Sequence, residues 1–262
     1  MEFARPDHDR DREPEAPIRD RYVIVNADDF GQSRGINRGI IQAHEHGIVT
    51  SASLMVRWAG AAEAAAYGRA HPNFSLGLHI DLGEMAYRGG SWVPLYQVVA
   101  EDNFEAITAE VLRQLADFRR LVGGDPTHLD SHQHVHREEP LRCLLEELAA
   151  NLGIPLRSCA SEVRYCGDFY GQNGKGVPCP EAISVDGLIG ILATLTPGIT
   201  ELSCHPGLDK DLDAMYCSER AAEVKTLCDP RVRAAVIAEE IELCSFASSA
   251  GRAQRPDTRG GS

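Results

Sequence analysis

The sequence predicts an α/β fold of about seven parallel strands, rolled into a distorted or incomplete (β/α) barrel as a single domain. Two observations predict it. Short apolar, β-branched runs alternate with helical patterns along most of the 262 residues, the mark of a parallel sheet joined by crossover helices. Four of those runs also end in polar side chains, at Asp28-Asp29, His79-Ile80-Asp81, Asp130-Ser131-His132 and Ser203-Cys204-His205. Strand ends are where such barrels place their chemistry.

The elements follow in order. Residues 1–20 hold Asp, Glu, Arg and Pro with few apolar residues, so a disordered arm is expected, with the barrel over 21–247. Strand one is the run from Val23 that stops at Asp28 and Asp29. Ser33 then caps a helix whose Ile36, Ile40, Ile41 and Ala43 share one side, with Gly47 as its stop. Val49–Val56 reads as strand two, residues 59–70 as an alanine-rich helix ended by Pro72, and Phe74–Ile80 as strand three. Gly83–Ala100, with Tyr87, Trp92 and Tyr96, is expected to be a long irregular segment covering a site or an interface.

Asn103 caps the clearest helix, with Ile107, Val111, Leu115, Phe118 and Val122 at helical spacing before Gly123-Gly124. A short strand runs through Leu129. Pro140 opens the next helix, with Leu141, Leu144, Leu145 and Leu148 inward and Gly153 after its end. Strand five is Ile154–Arg157, and residues 165–181 form a second long excursion. A helix near Val185–Leu195, a strand Ile199–Ser203, a helix from Ser218, a helix capped by Asp229-Pro230 and a strand Ile241–Phe246 complete the count. The tail from Ser248 to residue 262 should be loose.

Composition narrows the partners. With 26 Lys+Arg against 39 Asp+Glu, a nucleic acid or an anionic membrane surface would be repelled on average. No apolar run is long enough to span a membrane and the N-terminus is charged, so a cytoplasmic protein is expected. None of the eight cysteines forms a C-x-x-C pair, so reduced thiols are expected, with Cys166 and Cys179 the pair to test.

Two adjacent carboxylates at the end of a buried strand are costly unless a cation meets them. A divalent ion held by Asp29, His79 and His132, with positions left to water, makes a hydrolytic site: water ionises near pH ~7 and a carbonyl is polarised. Asp28 beside it is the candidate general base. Loss of an amine from a tetrahedral intermediate needs an acid on the far side, and His205 is the candidate. Asp130 and Glu201 are acceptors able to orient histidine N–H groups. His128 is expected in packing or behind a ligand, and His134 and His136 at solvent or on substrate. Arg157 can anchor a substrate oxygen or balance Asp28. The loop aromatics suit stacking on a sugar ring, lid packing or a homodimer contact. Imidazole suits Zn2+, while an aspartate with waters also admits Mg2+ or Mn2+. Asp-Phe-Gly at 29–31 has no glycine-rich nucleotide loop before it and no kinase-type catalytic loop after it.

The stretches VNADDFG, GLHID, HLDSHQHVH and ELSCHPG, in this order, resemble the YdjC-like carbohydrate deacetylases, and the resemblance runs from Arg21 to Phe246. It implies a distorted (β/α) barrel, a metal on Asp29, His79 and His132, catalysis by Asp28 with His205 at the position of the late histidine, and removal of an N-acetyl group from an amino sugar with release of acetate. The segments 83–100 and 165–181 depart most from the chitin-disaccharide enzymes of that family. The competing readings are a metal-dependent phosphoesterase or cyclic-amide hydrolase, which would draw on more ligands for two metals, and a sugar-binding protein with a dead site, which need not keep Asp28.

Overall fold

The computed structural model describes residues 20–249 apart from positions 101 and 210; all but the last residue of the expected arm and most of the expected tail lie outside them. Its centre is β1 (Arg21–Phe30), in which Val23 through Phe30 are all buried. A strand covered on both faces reads as a nearly continuous apolar run, as this one does up to Asn26. β8 (Gly198–Cys204) lies along one edge of β1, from Arg21 to Ala27. The other edge is shared by β9 (Ile241–Leu243), at Arg21–Val23, and β2 (Ser51–Leu54), from Asn26 onward.

β3 (Ser75–Ile80), β6 (Leu129–Ser131) and β7 (Val163–Cys166) extend this to a seven-stranded parallel sheet in the order β6-β3-β2-β1-β8-β7. It curls into a half-barrel. Between β6 and β7 no ladder closes the ring among the described residues.

The helices carry the expected apolar stripes. Ser33 accepts from Ile36 N to start α1 (Arg34–Glu45), and Asn103 accepts from Ala106 N to start α3 (Phe104–Val122). Ile36 and Ile40 from the first and Val111, Leu115 and Phe118 from the second join one core with Val23, Val25, Leu78 and Leu129. Each such side chain, fully buried, contributes about 1.5–3 kcal/mol. α2 (Ala61–Ala70), α4 (Leu141–Leu152), α5 (Val185–Thr194), α6 (Ser218–Leu227) and α7 (Pro230–Ala238) complete the outer layer, with Asp229 capping α7 as its Asp-Pro signal predicts.

Four details differ from the sequence reading. Ile154–Arg157 is not a strand but a single bridge, Leu129 to Leu156, because Pro155 lacks a donor and Ser158 turns the chain at φ 63°. A strand not expected, β7, pairs with β8 instead, and its Tyr165 and Cys166 fall inside the expected 165–181 excursion. The segment 83–100 is mostly a regular hairpin, β4 (Gly83–Arg88) with β5 (Ser91–Gln97), turned at Gly89-Gly90 with φ 60° and 90°. Two positive φ values suit the tight turns that join antiparallel strands, which glycine adopts without strain. β9 stops at Leu243, and Phe246–Ser249 forms a short helix, α8.

Candidate active site

The carboxyl ends of β1, β3, β6 and β8 border a cavity of about 490 Å³ lined by Asp28, Asp29, His79, His132 and His205 among others. Adjacent strand residues normally face opposite ways. Asp29 escapes this by adopting φ 67°, a left-handed conformation that aspartate tolerates better than most residues, and both carboxylates therefore line one cavity. Gly31 follows at φ 94°, and a Cβ there would lie 3.0 Å from both Leu54 Cδ1 and Met55 O.

Asp29 is the meeting point. Its Oδ1 lies 3.1 Å from His132 Nδ1 and 3.5 Å from His79 Nε2, and its Oδ2 accepts from Arg220 Nη2 at 2.6 Å. Burial would raise its pKa, yet Arg220 and the two imidazoles hold it well below the usual carboxylate range. His79 gives its other ring nitrogen to Asp130 Oδ1 at 2.8 Å. Against burial, Asp130 pushes His79 up to about 10, and the bond to Asp29 takes His132 to about 9.

Asp28 is gripped from behind. Arg157 Nη1 and Nη2 donate to its two oxygens at 2.6 and 2.7 Å, and Asn26 Nδ2 donates to Oδ1 at 3.0 Å. Despite burial, that guanidinium lowers its pKa. The same guanidinium reaches Asp130 Oδ2 at 2.8 Å and Glu201 Oε1 at 2.6 Å. One cation cannot satisfy three buried anions, and burial leaves Glu201 raised to about 7. Across the cavity His205 Nε2 stands 3.7 Å from Asp28 Oδ2, while its backbone N–H donates to Glu223. Burial pushes the His205 imidazole down to about 4 and the Glu223 carboxyl up to about 8.

The residues expected around this centre divide. Asp130 does orient a histidine ring. Glu201 does not, since its partner is Arg157. Arg157 is itself buried, bound to carboxylates rather than reaching for substrate. His128 is buried, stacked on Phe246 at 3.8 Å and bonded to Ser53. His134 lines the cavity and meets the Tyr165 hydroxyl at 3.2 Å. His136, expected at solvent or on substrate, is instead fully buried against Ser131 Oγ, because the 3₁₀ turn 132–137 folds it inward. Of the loop aromatics, Phe169 is in the core and Tyr96 is bonded to Asp81, while Trp92, Tyr165 and Tyr170 line the cavity wall. Cys166 and Cys179, the pair to test, are both free thiols. No helix among the described residues is long and apolar enough to cross a membrane.

A model of the YdjC-like protein family matches residues 22–238. The chain belongs to this family. It is 34% identical to a chitooligosaccharide deacetylase of Serratia marcescens over 87% of its own length and 98% of the relative's. It is 30% identical to a carbohydrate deacetylase of Geobacillus stearothermophilus, over 86% and 97%. A solved chain from Enterococcus faecalis V583 superposes with a TM-score of 0.69 at 25% identity, over 87% of this chain and 98% of that one.

Against this family background, Arg220, Glu84 and Glu223 are the site residues that the sequence reading did not find. Arg220 and Glu223 lie on α6 and Glu84 on β4, outside the strand-end motifs, and nothing in their sequence surroundings sets them apart. The donor set suits a divalent ion. Ligand atoms of Asp29, His79 and His132 all lie within 4.8 Å of one another. Asp130 fixes the ring of His79 through Nδ1, the contact expected behind a metal-binding imidazole, while His132 Nε2 is buried without a hydrogen bond.

Proposed function

We propose that this YdjC-like protein is a metal-dependent carbohydrate N-deacetylase that removes the acetyl group from an acetylated amino sugar. The observation that carries this reading is the convergence of Asp29, His79 and His132 on one side of the cavity, with Asp28 and His205 facing each other at 3.7 Å beside them. The deacetylase relatives support the substrate class. A divalent ion at the three ligands, Zn2+, Mg2+ or Mn2+, supplies Lewis acidity toward the acetyl carbonyl and makes water a stronger acid.

Asp28 Oδ2 keeps a lone pair beyond its bond to Arg157 and faces His205, so it is placed to take the proton of the attacking water. Neutral at pH 7, His205 must receive a proton within the reaction before it can pass one to the leaving amine. Asp28 is the neighbour placed to supply it. Arg157 holds Asp28 in orientation throughout, and Trp92 and Tyr170 offer apolar faces to a sugar ring.

The test incubates the purified chain with N-acetylated chitooligosaccharides and with a phosphoester panel, with and without chelator, and measures free acetate and phosphate. Acetate release abolished by chelator supports the reading. Phosphate release supports a phosphoesterase, and silence with every metal supports a binding protein.

A further inference from the structure

The two histidines of the cluster present opposite ring nitrogens to it. His79 turns Nε2 toward Asp29 Oδ1 and gives Nδ1 to Asp130. His132 turns Nδ1 toward the same oxygen at 3.1 Å, so its Nε2 points away. That nitrogen is buried and makes no hydrogen bond, and Glu84 Oε2 lies 3.6 Å from it. Glu84 is only 8% exposed, stands in β4 and lines the cavity. Next to His132, the Gln133 side chain accepts from Met85 N at 2.9 Å and donates to Met85 O at 2.8 Å. The hairpin backbone beside Glu84 is thereby pinned to the residue beside His132.

A neutral imidazole that gives one nitrogen to a cation carries its proton on the other, and a buried N–H needs an acceptor. Asp130 serves His79. From the geometry at His132 we infer that Glu84 is a positioning residue of the centre: it accepts the Nε2–H of His132 and so commits that ring to bind through Nδ1, the reverse of His79. The inference rests on the metal reading proposed above. Arg220 already occupies Asp29 Oδ2, so Oδ1 is the carboxylate oxygen toward which both rings turn.

The experiment loads the full chain, 15N-labelled at histidine, with Zn2+ and reads ring nitrogen shifts from long-range 1H–15N spectra. His79 should be ligated at Nε2, and His132 at Nδ1 with its proton on Nε2. In parallel, Zn2+ affinity is measured by competition with a chelating indicator. Glu84→Ala should weaken it by about 10- to 100-fold, and Glu84→Gln, whose amide oxygen still accepts, should recover most of the loss. Ligation of His132 through Nε2, or unchanged affinity in a folded Glu84→Ala chain, overturns the role of Glu84 while leaving the metal reading intact. If the parent chain takes up no Zn2+, both fall.

Discussion

Arg157 carries one positive charge among Asp28, Asp130 and Glu201, all buried. Removing it strands anions that water cannot reach, so Arg157→Met should destabilise the fold by about 3–5 kcal/mol in urea unfolding. Asp28→Asn is the complementary change. It keeps the shape of the side chain and removes the proton acceptor, so acetate release should fall by about 10²–10⁴-fold while Zn2+ affinity changes little. An equal loss of metal affinity would place Asp28 among the ligands instead. Asp28 and Asp29 were conspicuous in the sequence because two carboxylates end an apolar run. Arg220 was not, since an arginine on a mixed helix looks like any exposed one until α6 packs beside α1 and its guanidinium meets Asp29.

The element on which the site most depends, after the strands, is the β4–β5 hairpin with the 3₁₀ turn it rests on. Gln133 and His134 both sit in the left-handed region, at φ 53° and 57°, conformations that cost energy in non-glycine residues and persist where surrounding contacts hold them. Here the contacts are the two Gln133 bonds to Met85 and the bonds of His132 and His134 to Asp29 and Tyr165. Gln133→Ala should loosen the hairpin by about 1–3 kcal/mol, seen as faster amide exchange over residues 83–97 with exchange in β1 unchanged. The hairpin was misread as irregular because Pro94 and the clustered aromatics obscured its alternation. Its Gly89-Gly90 turn was the legible signal. Ile154–Arg157 erred the other way: its composition suits a strand, but Pro155 and the turn at Ser158 leave it one bridge.

At the scale of the whole molecule, the buried titrating groups oppose one another across pH. His128 and His134 are pushed to about 3, and His136 and His205 to about 4, all below the ordinary 6.5. Their contribution to stability is present above pH 6.5 and lost as pH falls toward those values. Glu201 and Glu223, raised to about 7 and 8 from 4.5, and His132 and His79, raised to about 9 and 10 from 6.5, act in reverse. Their contribution is full below the unfolded value and lost as pH climbs through the folded one. The metal-free chain should therefore be most stable near pH 6.5, with the unfolding free energy falling on both sides, and Glu223→Gln should flatten the alkaline limb. Adding Zn2+ at about 100 times its dissociation constant should stabilise the folded chain by about 2.7 kcal/mol, a gain in melting temperature that chelator reverses.

The sequence by itself determined the alternation of strands and helices, the helix caps at Ser33, Asn103 and Asp229, and the strand ends that carry Asp28, Asp29, His79, His132 and His205. These are local matters, set by periodicity, capping chemistry and the cost of burying charge. Only the tertiary structure decided that Glu201 answers to Arg157 rather than to a histidine, that His136 turns inward, and that Arg220 and Glu84 reach the site from a helix and a hairpin. Such pairings join residues up to 191 positions apart, as Arg220 and Asp29 are, and depend on the distance and direction of side chains that no local pattern encodes.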